Sequence, residues 1–275
     1  MAAVPPSDGP DALDGSALAL DRDALVTVLS EAGFVAAPEE AQELTAAAAG
    51  DRRRLGTLVR RRLTGEPLAW ITGRVSFDGL EIAVDHGVYV PRWQTVALAR
   101  RAVARLPVAG TAIDLCTGAG AVAALLMRGR PGARVVASDI DDRAVACATA
   151  NGVVAYGGDL FAPLPDSLLG GVDVVVGVVP YVPTEALALL PRDTLAFESP
   201  LSYDGGPNGT EVLRRVLADS PRYLRPGGAI LLELGGDQAV ALEGTLARLG
   251  YGAVTVLADD DGDVRGIEAT LRATA

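Results

Sequence analysis

Asp114-Leu115-Cys116-Thr117-Gly118-Ala119-Gly120 is the stretch on which the fold of this 275-residue chain turns. It closes a short apolar run, Thr111 to Leu115, and opens a helical one, Ala121 to Met127. A strand, a glycine turn and a helix in that order form the first unit of an open α/β sheet, where ligands bind beyond the carboxyl ends of the strands. Glycines at 118 and 120 suit that place. The chain must turn sharply there and let a ligand approach backbone that a Cβ would screen.

Downstream, short apolar runs alternate with helical stretches. The runs are Arg134 to Ser138, Val153 to Tyr156, Val172 to Val176 and Ala229 to Glu233; the helical stretches are Asp142 to Ala150, Thr210 to Leu217 and Ala239 to Leu249. Gly252 to Leu257 and Gly266 to Leu271 add two strands joined through the polar turn Asp259 to Asp263, an antiparallel edge pair. With Thr111 to Leu115 this predicts a doubly wound, mainly parallel, seven-stranded α/β sheet over residues 96–275. Upstream, residues 67–95 read as a β-hairpin connector, with Trp70, Ile71, Phe77, Leu80, Ile82, Val84, Val88 and Val90 broken by Gly73, Gly79 and Gly87. Residues 21–66 carry apolar side chains at helical spacing, among them Leu25, Val28, Leu29, Ala41, Leu44, Leu55, Leu58, Val59 and Leu63, and predict a small helical domain. Residues 1–20 read as a disordered tail.

Composition excludes several classes. A net charge of −11 argues against general nucleic-acid binding, whose affinity comes from cations that neutralise phosphates. No stretch qualifies as a membrane span: the longest apolar run, Val172 to Val182, is interrupted by Asp173, Gly177 and Pro180 and reads as a buried strand. With no cationic, apolar leader at the start, a cytoplasmic location is expected, and the two cysteines, Cys116 and Cys147, are expected to be reduced and structural.

About twenty residues beyond the glycines, Asp139 ends the next apolar run with Ile140 beside it, where a carboxylate can accept hydrogen bonds from two ribose hydroxyls. Gly158-Asp159-Leu160, after the third strand, offers a second carboxylate, suited to an adenine amino group. The turn alone is ambiguous, because Gly118 to Ala123 also fits the dinucleotide fingerprint. The remaining candidates have ordinary alternatives. His86, the only histidine, lies in the turn-like Asp85-His86-Gly87 and reads as a solvent-facing residue. Arg52, Arg53, Arg54, Arg60, Arg61 and Arg62 read as a solvated helix face or a docking surface.

From Gly65 onward the chain resembles the HemK/PrmC-type protein-(glutamine-N5) methyltransferases. The markers are Gly65-Glu66-Pro67-Leu68-Ala69-Trp70-Ile71-Thr72-Gly73, Val88-Tyr89-Val90-Pro91-Arg92, Asp114 to Gly120, Gly158-Asp159-Leu160-Phe161, Asp204-Gly205-Gly206, Leu224-Arg225-Pro226-Gly227-Gly228 and Glu233-Leu234-Gly235-Gly236-Asp237-Gln238, in the family's order. The resemblance implies S-adenosylmethionine as cofactor, with Asp114, Thr117, Gly118, Ala119 and Gly120 at its amino-acid part, Asp139 and Ile140 at the ribose, and Gly158, Asp159 and Leu160 at the adenine. It implies a glutamine of a peptide-release factor as acceptor. It implies a class I methyltransferase fold, as a monomer or weak dimer.

The chain departs from the family where the acceptor would sit. The family's Asn-Pro-Pro-Tyr signature is here Val178-Val179-Pro180-Tyr181, so no side-chain amide is present, and backbone carbonyls of this segment and the Tyr181 ring would have to hold the acceptor. Relatives place proline where Trp93 stands and glutamate where Val96 stands. Trp93 is expected to pack at a domain junction or to stack on a flat substrate, and Glu198 either anchors its loop or takes a proton. Two alternatives therefore stay open beside glutamine transfer: a small-molecule acceptor in a remodelled site, and a protein that binds S-adenosylmethionine without transfer. A dinucleotide oxidoreductase has only the glycine turn in its favour.

Overall fold

The computed structural model describes residues 21–190 and 192–273; the tail expected over 1–20 lies outside them. The chain divides into two compact units between Thr72 and Gly73.

The first unit is helical. Helices α1 (Arg22–Glu31), α2 (Ala37–Ala48), α3 (Arg52–Leu63) and α4 (Leu68–Thr72) share a core that includes Leu25, Leu29, Leu44, Leu58, Val59 and Ile71. Asp21 and Asp51 begin α1 and α3 by accepting N–H groups of the first turn, donors that would otherwise have no partner inside the helix. Arg62 is buried because its charge is met: it pairs with Glu40, donates to the Glu66 carbonyl and lies 3.9 Å from the centre of the Phe34 ring. The short α4 departs from the sequence reading, which gives Trp70 and Ile71 to the hairpin. Both residues donate their N–H to the Pro67 carbonyl and close a helical turn, so this unit runs to Thr72 and does not stop at residue 66.

The second unit opens with a hairpin of β1 (Arg74–Phe77) and β2 (Leu80–Ala83), joined by Asp78 and Gly79 at φ of 50° and 72°. Positive φ at both positions is the two-residue turn whose twist matches an antiparallel pair. Helix α5 (Thr95–Arg105) leads to β3 (Thr111–Leu115), α6 (Ala121–Gly129), β4 (Arg134–Asp139), α7 (Asp142–Ala150), β5 (Val154–Gly157) and β6 (Val172–Gly177). After α8 (Arg192–Phe197) come α9 (Glu211–Asp219), β7 (Leu224–Glu233), α10 (Gln238–Arg248), β8 (Tyr251–Ala258) and β9 (Val264–Leu271).

Among the described residues these strands form a seven-stranded sheet in the order β5-β4-β3-β6-β7-β9-β8. The first five are parallel, and β9 runs antiparallel to both neighbours. Val172, Val174, Val175 and Val176 of β6 are wholly buried, as a central parallel strand covered on both faces requires. Strand β5 is only four residues long, and all four pair with β4. Strand order reverses between β3 and β6, the topological switch point where such sheets bind ligands.

Candidate active site

Leu115 is level in register with Ser138 of β4 and Gly177 of β6, so three chains leave the sheet at one edge and side by side. Cys116, Gly118 and Gly120 have φ of 55°, 55° and 83°, which folds the turn after β3 back under α6. The two glycines are needed for different reasons. A Cβ on Gly120 would lie 3.0 Å from Val153 Cγ2 and 3.1 Å from Ala148 Cβ, so this glycine lets α7 pack closely. A Cβ on Gly118 would meet nothing nearer than the Tyr89 carbonyl at 3.8 Å, so this glycine leaves room beside the cleft.

Asp114 faces inward. Its Oδ2 accepts from Thr117 Oγ1 at 2.6 Å and from the Ala123 N–H at 3.2 Å, locking the turn to the start of α6. Burial pushes its carboxyl pKa up to about 7, against the opposing pull of those two bonds. Asp139 holds the turn from the other side: Oδ2 accepts the Gly118 N–H at 2.9 Å and Oδ1 accepts the Asp141 N–H at 3.0 Å. Its pKa is also raised by burial, which outweighs those bonds. With the Ile140 N–H also acting on it, the carboxylate still keeps part of its acceptor capacity for a ligand. The Ala119 carbonyl accepts from Asn151 Nδ2 at 2.8 Å, and the same amide pairs with both backbone groups of Ala83, tying the turn to the hairpin.

An open cleft is lined by Gly118, Cys116, Asp139, Ile140, Tyr89, Val178, Pro180 and Leu201, among others. A much smaller recess, with Phe77, Arg92, Thr95, Asp114 and Thr117 in its wall, shares Tyr89, Cys116, Gly118 and Val178 with it. Ile140 is 65% exposed and offers an apolar wall beside Asp139. Gly158 donates its N–H to the Asp139 carbonyl at 2.8 Å. Asp159 and Leu160, expected at the adenine, line neither space. Asp159 pairs with Arg215 of α9 at 2.5 Å, and Leu160 is buried in the core with its carbonyl held by Ser138 Oγ at 2.7 Å. Asp159 is still close to the turn: burial first, then Asp139, Asp114 and Asp159, raise the Cys116 thiol pKa.

The segment after β6 divides its side chains. Val178 and Pro180 are half-buried and line the cleft, while Val179 is 1% exposed and belongs to the core. Tyr181 lines neither space. Its Oη donates to Glu233 Oε1 at 3.0 Å, and its carbonyl accepts from Gln238 Nε2 at 2.7 Å. Burial raises the Tyr181 phenol pKa, with the Glu233 carboxylate adding to the effect. Burial also raises the Glu233 carboxyl, against the hydrogen bonds from Thr95 and Tyr181.

Glu198 is an anchor. Oε1 accepts the Val90 N–H at 3.0 Å and Oε2 takes both the Arg92 guanidinium and the Tyr203 hydroxyl. Burial works against the charge of Arg92, but Glu198, Tyr89 and Tyr203 outweigh it and leave its pKa raised. Both Glu198 oxygens are committed to these partners. Trp93 is 75% exposed, against the expectation that it packs. His86 is exposed in the Asp85–Val88 turn. In the basic stretch of α3, Arg61 and Arg62 are held by Glu66 and Glu40, whereas Arg52, Arg53, Arg54 and Arg60 are exposed.

The sequence reading missed Tyr89, Arg92, Asn151, Glu233 and Gln238 as individual contributors. Four of them stood in quoted motifs, but no local pattern says which distant group each will meet. Among the described residues no cluster of histidine, cysteine, aspartate and glutamate could hold a metal, and no helix is long and apolar enough to cross a membrane.

No family model matches the chain. It is 37% identical over 212 residues to a release factor glutamine methyltransferase of Moorella thermoacetica, covering 74% of this chain and 72% of that one. It is 34% identical over 200 residues to one of Geobacter sulfurreducens, covering 70% and 69%. Among solved structures, a T. thermophilus 16S rRNA N2 methyltransferase in complex with AdoMet and guanosine shares the fold, with 22% identity, a TM-score of 0.50, and coverage of 74% of this chain and 45% of that one.

Proposed function

The chain belongs to the family of release factor glutamine methyltransferases, and on that premise we propose that it methylates a glutamine side-chain nitrogen of a release-factor-like protein. The observation that carries the reading is the join between Gly118 and Asp139, which puts an open backbone turn and a carboxylate with free lone pairs in one cleft wall. S-adenosylmethionine, when bound, supplies a methyl group activated by a sulfonium. The chain's residues fit its polar parts. Asp139 retains acceptor capacity for ribose hydroxyls, Gly118 leaves the backbone open, and Ile140 offers an apolar wall to a flat base. Asp159 reaches an adenine amino group only by sharing its carboxylate with Arg215.

On the acceptor side, an amide nitrogen is a weak nucleophile because its lone pair is delocalised. Rate must therefore come from orientation and from acceptors that favour charge developing on the N–H groups. Val178 supplies no side-chain acceptor, so main-chain carbonyls of Val178 and Val179 take that role. The amide proton can leave to water after transfer, and with Glu198 committed to Arg92 and Tyr203 no dedicated base is required.

Incubation with labelled S-adenosylmethionine and a release-factor domain carrying Gly-Gly-Gln tests the reading. Label should appear on the glutamine and be absent when that glutamine is alanine. Tight cofactor binding with no labelled glutamine would overturn it. Val178 in the cleft wall and the exposed Trp93 favour one second reading, a small-molecule acceptor, which would show as label in the low-mass fraction of a metabolite extract.

A further inference from the structure

Tyr181 is held at both ends by one short segment. Glu233, the last residue of β7, accepts from its hydroxyl at 3.0 Å, and Gln238, the first residue of α10, donates to its carbonyl at 2.7 Å. Each holder is itself fixed. Glu233 Oε2 accepts from Thr95 Oγ1 at 2.6 Å, and Gln238 Oε1 accepts the Gly235 N–H at 3.1 Å. The Gln238 amide also donates to the Gly209 carbonyl at 3.1 Å. The loop that brings Gly209 there admits no side chain on this side. A Cβ at Gly205 would lie 2.8 Å from the Pro180 carbonyl, and one at Gly209 would overlap the Tyr181 carbonyl and the Gln238 amide.

This restraint falls on the segment that has lost its side-chain amide. A carbonyl on an unrestrained turn is a poor substitute for an asparagine held in one rotamer, because its direction follows two soft dihedrals per residue. We propose that Gln238 and Glu233 are positioning residues that fix Tyr181, and through it aim the main-chain carbonyls of Val178 and Val179 at the acceptor. The inference rests on the glutamine-transfer reading above. The ordinary alternative is that Gln238 serves only as a cap for α10, through its bond from Gly235.

Gln238→Glu separates the two, since it keeps an oxygen for the Gly235 N–H while presenting a second oxygen, in place of a donor, to the Tyr181 carbonyl. Gln238→Met, which removes the donor without adding charge, serves if the first variant does not fold. In the full-length chain, the Val182 amide, bonded to the Tyr203 carbonyl at 2.8 Å, is the reporter of the segment's rigidity. Hydrogen exchange there should quicken about tenfold or more, while exchange across β3 stays at the wild-type rate. Transfer to the Gly-Gly-Gln domain should fall about tenfold in kcat, with the Kd for S-adenosylmethionine within about twofold of wild type. Unchanged exchange at Val182 would overturn the inference, and so would faster exchange with unchanged kcat. If the wild type methylates no glutamine, the proposed function fails, and the exchange measurement alone then decides this inference.

Discussion

Asp139 Oδ2 accepts the Gly118 N–H at 2.9 Å, so the carboxylate that ends β4 is fastened to the glycine turn that follows β3. One side chain thereby shapes the turn and keeps lone pairs for a ligand. Asp139→Ala is expected to weaken S-adenosylmethionine binding by about tenfold or more, the effect of losing a charged acceptor in a partly buried site. Titration calorimetry on the folded variant reads the change directly. Binding as tight as wild type would remove Asp139 from the cofactor site.

Asp114 makes stability depend on pH in an unusual direction. Burial holds its folded pKa at about 7, above the ordinary 3.8, so the native chain keeps a proton that the unfolded chain gives up. Between those values the native state binds more protons, and stability falls as pH rises. Asp114→Asn retains an oxygen for Thr117 Oγ1 and has no proton to lose. Urea unfolding from pH 4 to 8 should show a shallower decline for the variant than for wild type, and identical slopes would refute the assignment.

Glu198 is expected to matter for folding and not for proton transfer. Glu198→Ala strips Arg92 and the Val90 N–H of their partner, at a cost of about 2 to 3 kcal/mol in denaturant unfolding. A double-mutant cycle with Arg92→Ala should recover part of that loss as coupling. The folded Glu198→Gln enzyme should keep the wild-type shape of its pH–rate profile. Disappearance of a limb from that profile would restore Glu198 as a base.

Val178→Asn puts a side-chain amide into the cleft wall at the position where the family resemblance leads one to expect an asparagine. Transfer to a Gly-Gly-Gln domain should rise about tenfold in kcat/KM, the worth of one good hydrogen bond to the acceptor. Because Val178 is half-buried, the variant should fold as well as wild type. A Michaelis series on both proteins checks it, and no gain would mean that the acceptor site is altered beyond residue 178.

The parts legible in the sequence were those set by local rules. Gly118 and Gly120 announced a turn because only glycine takes that backbone cheaply, and the spacing to Asp139 is that of one helix and one strand. Asp159 pairs with Arg215, which lies 56 positions away on α9, a partner that no local pattern could name. Leu160 looked like part of a ligand loop, yet its apolar side chain had a core to enter. For Trp93 the sequence offers packing or stacking on a substrate, and periodicity cannot tell that its neighbours leave it in solvent. Trp70 and Ile71 read as strand residues by composition, but Pro67 offered a carbonyl that closed a helical turn. Two carboxylates, Glu198 and Glu233, looked alike in the sequence. Only the fold shows that the first is saturated by an arginine and a tyrosine, and the second by a threonine and a tyrosine.

The strand order places β9 between β7 and β8, so the strand latest in sequence among the described residues is an interior one. Until β9 is in place, β7 presents an open edge and β8 has no partner among the described strands. Closure of the sheet therefore waits on a segment far downstream of the glycine turn, and a chain cut short before Val264 would carry an unpaired β7 edge open to pairing with other chains.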